Sequence, residues 1–455
     1  MNSSGKHLLV IAYEFPPTAG PGVQRITALT KYLQRLGWRV SVVCAETISS
    51  APTDPSMLAD VAGAHVVALP GRHVATAIAR LLAPLKREGS AHAAPAASGA
   101  TSPAVAPAVA PSAAPAAAAP ARRPLSGRIS RWIAVPDDAI FWRKSAARAA
   151  FRINANDPVD VVLASGPPYS AMLAGCDFAR LFGTPLVLDL RDPWRDNAAL
   201  HWPTAWHRNR SVRLERQAMA HAAAVLAVSG PIAEEARSLG AAEAVVLPNG
   251  FDREHVPAWK PDPRAPLTLA FMGRFSSALT DPEPLFAGMA LAAARSEAAV
   301  AIRLVVAGPE YPWVAELIAR YGIAGRVQLR GYLPNADALS MVASADVGTI
   351  VLADVPGTKA IYSSKLFDYL GIAIPVLLVG PSDCVAADVL REARAGTVVA
   401  PDAESVSAAL IELAEAKAAR SPAPAPLAGV VARFDRESQA AELSALLTRV
   451  AAGRS

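Results

Sequence analysis

The sequence predicts an α/β protein built from two doubly wound domains in tandem, and three observations predict it. The chain has 455 residues, whereas single cores rarely grow beyond roughly 250–300 residues. The apolar segments LLVIA, VSVVC and LTLAFMG are continuous, as in parallel strands covered by helices on both faces. A proline-rich stretch, AWKPDPRAP, divides two halves that each alternate such runs with helical periodicity.

In chain order, His7–Ala12 reads as a strand. Helical spacing follows through Ile26, Leu29, Leu33 and Leu36, and Trp38–Cys44 forms a second strand. Further buried strands are expected at Asp160–Ala164, Pro185–Asp189 and Ala223–Val228. Before these, at about 89–123, the chain is almost entirely Ala, Pro, Ser and Thr. Frequent proline blocks a helix and small side chains bury too little surface to offset chain entropy, so a disordered insertion is expected. The segment LPNGFD leads into the linker. The second half then reads as a strand at Leu267–Met272, a helix at Glu283–Arg295, a strand at Ile302–Ala307, a helix at Trp313–Tyr321, a strand at Val327–Arg330 and a later strand PVLLV. A last helix, about Phe434–Val450, carries an apolar stripe of Ala440, Leu443, Leu446 and Leu447. The expected domains are 1–250, 251–433 and a terminal helix in 434–455.

Composition narrows the function classes. Fifty-two per cent of residues are hydrophobic and 18% are charged, which suits a globular protein. Cys44, Cys176 and Cys384 are scattered, with neither a disulfide framework nor a metal-ligand spacing, so a reducing cytoplasm is expected. No run is long and apolar enough to span a membrane, and the N-terminal apolar run, interrupted by Tyr13 and Glu14, reads as a strand and not a leader. The net charge of +5 suits anionic partners without choosing among them. Nucleic acid is not expected, because no recognition helix, zinc site or aromatic sheet signature accompanies the basic residues.

In doubly wound sheets, ligands bind outside the carboxyl ends of strands, and four loops there stand out. The loop from Tyr13 to Gly22 precedes a helix beginning near Val23. Gly20 and Gly22 permit either close backbone approach to a phosphate or simply a tight turn. Gly273 and Arg274 follow the first strand of the second half, where the guanidinium either grips a diphosphate or faces solvent. Tyr362, Ser363, Ser364, Lys365, Leu366 and Asp368 open a helix that is either an ordinary capped one or a phosphate site with a ribose-binding carboxylate. Leu366, Tyr369 and Leu370 are expected to pack inward. Finally, SGPPYS and DLRDPW end two strands of the first half. Asp192 there is either a general base or acceptor-orienting carboxylate, or the partner of Arg191 in an ion pair.

Taken as a set, YEFPPTAGPGVQR, SGPPYSA, DLRDPW, LPNGFD and SSKLFDYLGIAIPVL resemble the family 4 glycosyltransferases of the GT-B fold, in the bacterial branch that builds surface polysaccharides. The resemblance spans nearly the whole chain apart from the Ala/Pro segment. It implies two Rossmann-like domains facing across a cleft, with an acceptor domain first and a nucleotide-sugar donor domain second. It implies donor contacts from Gly22, Arg274 and Ser364, a ribose contact from Asp368 and base contacts along Gly331, Tyr332 and Leu333. Retention of anomeric configuration, no metal and no cofactor beyond the nucleoside diphosphate sugar follow from the same likeness. No DxD triplet appears in a strand-end loop. Arg274, Lys365 and Asp192 are the expected catalytic residues.

The sequence departs from the family where a spaced pair of glutamates is common, having Ala360 and Asp368. It also lacks the lysine that often follows the phosphate-binding arginine, a charge that Lys365 is placed to supply. A GT-B sugar-nucleotide epimerase and a non-catalytic nucleotide-sugar-binding partner are the competing readings. Basic and aromatic residues at Arg128, Arg131, Trp132, Phe141, Trp142, Arg143 and Lys144, then at Trp202, Trp206, His207, Arg208, Arg210, Arg213 and Arg216, suggest a face for anionic membrane and a lipid-linked acceptor. A solvated face with a saccharide acceptor is the other reading. The expected location is the cytoplasm, at the inner face of the cytoplasmic membrane in the lipid-linked case.

Overall fold

Among the described residues, thirteen parallel strands fall into two sheets. The computed structural model describes residues 5–47, 53–71, 73, 74, 76, 78, 125–195, 197, 200, 202–355, 358–360, 362–421, 423 and 425–453. The Ala/Pro segment at 89–123 lies outside the described residues, as do Pro356 and Gly357.

The first sheet holds β1 (His7–Ala12), β2 (Arg39–Ala45), β3 (His65–Leu69), β4 (Val161–Gly166), β5 (Leu186–Leu190), β6 (Ala224–Ala227) and β7 (Ala244–Val246), in the order β3-β2-β1-β4-β5-β6-β7. The second holds β8 (Thr268–Met272), β9 (Arg303–Ala307), β10 (Val327–Leu329), β11 (Val347–Val351), β12 (Val376–Val379) and β13 (Gly396–Val399), in the order β10-β9-β8-β11-β12-β13. Both orders reverse direction beside the first strand of the lobe, between β1 and β4 and between β8 and β11. Such a switch point leaves a crevice outside the carboxyl ends of the strands.

Each sheet has an apolar core on both faces, as its unbroken apolar strands require. The central strands β1, β4 and β5 are buried along their whole length. The edge strands β3, β7 and β13 were not read from sequence. They are short and largely open on one side, so their patterns lack the continuous apolar signature. Leu36 does not join the apolar stripe of the first helix, α1 (Pro21–Arg35). It caps that helix and is 51% exposed, because Gly37 turns the chain with a φ of +90°.

Two further helices matter for the site: α2 (Ser364–Ile372) in the second lobe and α3 (Arg436–Ala452) at the end of the chain. Ala440, Leu443, Leu446 and Leu447 of α3 are buried against Leu8, Val10, Ile26 and Leu29 of the first lobe. Each buried leucine contributes about 1.5–3 kcal/mol. Trp38 Nε1 donates to Ser444 Oγ at 2.8 Å, fixing the helix further.

The chain therefore crosses between lobes twice, and the crossings are bonded together. The Phe251 N–H donates to the Phe434 carbonyl (2.9 Å) and the Arg436 N–H to the Phe251 carbonyl (3.0 Å). Just past the first crossing, Lys31 of α1 grips Asp252 at 2.9 Å and Glu254 at 2.8 Å, while Tyr32 Oη donates to Asp252 at 2.7 Å.

Candidate functional site

The switch-point loops and the N-terminus of α2 enclose a cavity of about 500 Å³ between the lobes. Gly20, Gln24, Asp54 and Met57 line it from the first lobe. Gly273, Arg274, Gly308, Tyr332, Leu333, Asn335, Ser364, Lys365 and Asp368 line it from the second.

In the second lobe, glycine makes room for charge. Gly273 ends β8 with a φ of +118°, and a Cβ there would stand 2.6 Å from Lys365 Cε. A Cβ on Gly308, after β9, would stand 1.9 Å from the Gly273 carbonyl oxygen. With no side chain on Gly273, Lys365 lies along the strand end, its Nζ 4.6 Å from the centre of the Phe271 ring. Burial lowers its ammonium to about 8, with the Asp368 carboxylate pulling the other way. Arg274 is exposed, and among the described residues no carboxylate lies within 4.0 Å of either cation. Ser363 stands at the N-cap position of α2 without a side-chain capping bond, and Ser364 begins the helix. The first N–H groups of a helix lack internal partners and carry its positive dipole end. Two unneutralised cations and a helix N-terminus thus converge on one cleft, an arrangement suited to a diphosphate.

Asp368 lies one turn further along α2, half-buried and in the cavity wall. Burial pushes its carboxyl up to about 7, opposed by the Arg436 and Lys365 charges. A carboxylate so placed accepts hydrogen bonds from ligand hydroxyls when ionised.

The first lobe arranges its charges differently. Arg25 and Asp189 are fully buried and form a 2.8 Å ion pair. Ser165 Oγ donates to Asp189 at 2.8 Å, and Arg25 Nη1 donates to the Pro248 carbonyl at 2.7 Å. Burial works against ionising Asp189, but the Arg25 charge and these hydrogen bonds outweigh it and hold the carboxyl below its usual range. Gly20 has a φ of +147° and open space where a Cβ would project.

Gly20, Gly273, Arg274, Tyr332, Leu333, Ser364, Lys365 and Asp368 are thus brought together, and other residues singled out from sequence stand apart. Gly22 lies outside the cavity wall, and a Cβ there would meet Arg191 Nη1 at 1.5 Å. Asp192 is half-buried and outside the cavity wall. Burial raises its carboxyl and the neighbouring Arg191 charge lowers it. Tyr362 packs edge-on against Phe367 at 5.3 Å, and Ser363 holds the N-cap position outside the cavity wall. Leu366 packs inward as expected, fully buried in the second core, and its N–H donates to the Ser363 carbonyl at 3.1 Å. Trp142 and His207 also lie inside the first lobe, and Arg143 is paired with Asp177 at 2.6 Å, so these three are withdrawn from the basic face. Trp132 and Trp206 stay about 60% exposed.

Sequence reasoning missed Gln24, Asp54, Asn335, Gly308 and Arg436. Gly308 had a signal, since VVAGPE ends a strand on glycine as FMGRF does. The others sit on helices or turns whose proximity to the cleft only the fold creates.

Asp60, Asp252 and His255 offer ligand atoms within 4.8 Å of one another in an adjoining cavity. Lys31 Nζ already stands 3.3 Å from Asp60 and 2.9 Å from Asp252, so this cluster holds a protein cation and ties the lobes. Among the described residues no helix is long and apolar enough to cross a membrane.

Residues 74–250 match the family described as glycosyl transferase 4-like domain. No curated protein sequence matches the chain. Among solved structures, a sucrose-phosphate synthase from Thermosynechococcus elongatus has a TM-score of 0.59 at 14% identity, covering 98% of this chain and 100% of that one. The Anabaena protein HepE, in complex with UDP-glucose, has a TM-score of 0.55 at 13% identity, covering 97% and 99%. The lipopolysaccharide outer core galactosyltransferase WaaB has a TM-score of 0.55 at 12% identity, covering 97% and 99%. At these identities the solved structures share the GT-B fold and no more, and the family match places a glycosyl transferase 4-like domain at residues 74–250, within the first lobe.

Proposed function

We propose that the chain transfers a sugar from a nucleoside diphosphate sugar, held on the second lobe, to an acceptor on the first, in the synthesis of a bacterial surface polysaccharide or glycolipid. One observation carries this reading: Arg274, Lys365 and the start of α2 converge on the interlobe cavity with no carboxylate neutralising either cation among the described residues. A fixed guanidinium and ammonium stabilise charge that grows on the departing diphosphate, and being pre-placed they need no reorganisation as the bond breaks. In this reading protein cations do the work a divalent ion does elsewhere, and transfer retains anomeric configuration. Asp368 takes the ribose hydroxyls, and the Gly331–Leu333 backbone takes the base. The UDP-glucose held by HepE on the same fold supports this class of donor.

The acceptor half rests on a groove of the first lobe lined by Ile133, Phe141, Lys144, Arg148 and Arg210. Trp132 and Trp206 are exposed nearby in sequence, with Arg210 5.5 Å from the centre of the Trp206 ring. Apolar and cationic groups side by side fit an anionic, lipid-linked acceptor at a membrane surface. Three unpaired, buried cysteines support a cytoplasmic setting.

Melting curves with UDP, GDP and ADP in the presence of EDTA test the donor half. A ligand at 100 times its Kd adds about 2.7 kcal/mol, so at least one nucleotide should raise the Tm clearly, and failure of all three defeats the reading. Release of free nucleoside diphosphate only when acceptor is present separates transfer from epimerisation.

A further inference from the structure

At the edge of the second sheet, two loops of the cavity wall lie side by side. Gly308, Pro309 and Glu310 follow β9, and Arg330, Gly331, Tyr332 and Leu333 follow β10, which pairs with β9 in parallel. The Gly308 N–H donates to the Gly331 carbonyl at 2.8 Å and ties the loops together. Gly331 turns with a φ of +66°, and Glu310 Oε1 lies 3.7 Å from the position a Cβ there would take. Gly308, Pro309, Tyr332 and Leu333 line the cavity, which sets Glu310 at its rim.

Three kinds of group are open at this end. The Glu310 carboxylate is exposed, and among the described residues it makes no hydrogen bond and has no lysine, arginine or histidine within 4.0 Å. The N–H groups of Tyr332 and Leu333 donate to nothing among the described residues. The Tyr332 ring is 64% exposed, so an aromatic face is available for stacking. An acceptor pair, backbone donors and a ring face together suit the edge and plane of a nucleobase.

The bases differ at that edge. Guanine carries two N–H donors side by side, at N1 and N2, next to the O6 acceptor. One carboxylate takes both donors, as it takes the fork of an arginine, while a backbone N–H meets O6. Uracil has a single N–H between two carbonyl oxygens, and adenine has an unprotonated N1 beside its amine. A carboxylate at either edge faces lone pairs that repel it, so it selects by rejection as well as by attraction.

We propose that Glu310 reads the base of the donor and selects guanine, so that the sugar is carried by guanosine diphosphate. This rests on the donor reading above and names the nucleotide within it. Arg274, Lys365 and the start of α2 are placed for the diphosphate, which all such donors share, and carry no base preference.

The test is calorimetric titration of the full chain, in EDTA, with GDP, IDP, UDP and ADP. IDP keeps N1–H and O6 but lacks the N2 amine. Wild type should bind GDP about 30-fold more tightly than UDP or ADP, the scale of one bidentate pair to a base. It should prefer GDP to IDP by about tenfold, the scale of one hydrogen bond to a charged group. Glu310→Gln puts an amide donor where an acceptor stood. It should bring GDP and IDP nearly level and leave UDP almost unchanged. Tyr332→Ala should weaken all four alike, because stacking tolerates any base. Wild-type binding of UDP or ADP as tight as that of GDP overturns the guanine assignment and leaves the donor site standing. So does an equal loss of all four nucleotides in Glu310→Gln, or a loss confined to GDP in Tyr332→Ala. Binding of none of the four to wild type overturns both readings. Should Glu310→Gln fold poorly, Glu310→Ala decides by the same ratio of GDP to IDP affinity, which does not depend on the fraction folded.

Discussion

The two lobes share a topology and use their strand-end charges in opposite ways. In the first lobe, Arg25 is consumed by Asp189, and Arg191 fills the space above Gly22. In the second, Gly273 clears a path for Lys365, and Arg274 faces the cleft without a carboxylate partner among the described residues. An internally neutralised cation stabilises its own lobe, whereas a cation without a partner is available to a ligand. Net charge is thus a poor guide to where an anion binds; pairing decides it.

The largest effect that sharpens this contrast belongs to stability. Arg25→Met leaves Asp189 buried and unpaired, which should cost about 3–5 kcal/mol in urea unfolding. Replacing both residues, as Arg25→Met with Asp189→Leu, should recover most of the loss. The pH dependence has a definite sign. The folded Asp189 carboxyl lies below its usual value, so its stabilisation is complete above the unfolded pKa of about 3.9 and is lost as pH falls through the folded one. The double variant should lose that part of the acid unfolding limb, and an unchanged limb would show that the pair adds nothing.

Next comes turnover. Arg274→Ala should leave the Tm in place and slow transfer about 100-fold, the scale for loss of one preorganised donor. Wild-type rates in that variant would remove Arg274 from the chemistry and weaken the contrast between lobes.

Lys365→Met should weaken nucleoside diphosphate binding about tenfold, the order expected for one charge-assisted contact. Because the free ammonium titrates near 8, wild-type affinity should fall as pH rises past that value. A Lys365→Met protein that kept this alkaline fall would assign it to another group.

A last pair of variants separates two glycines, and the smallest effect of all belongs to Gly22. Gly308→Ala drives a Cβ into backbone and should cost about 1–3 kcal/mol with loss of nucleotide binding. Gly22→Ala meets only the mobile end of Arg191 and should cost less than about 1 kcal/mol. Equal losses from both would mean that Gly22 serves the donor directly.

Much of this was legible in the sequence. Continuous apolar runs gave strands such as β1 and β8 nearly to the residue, and the helical period gave the helix at Glu283–Arg295, whereas the central strand β11 was not read. A glycine or serine placed directly after such a run marked the loops that line the cleft. The edge strands were silent because half-exposed strands of three to five residues carry no distinctive pattern. Arg436 was silent for another reason: within its own helix it is an ordinary polar residue, and its place in a cavity wall exists only because α3 folds back.

The order of strands and helices, the parallel character of both sheets and the strand ends that carry polar loops were set by local pattern, since side-chain periodicity and turn chemistry act between near neighbours. Tertiary structure alone decided which cations are spent and which remain available. Arg25 and Asp189 are 164 positions apart in the chain and 2.8 Å apart in space, and Coulomb energy follows the second distance, not the first.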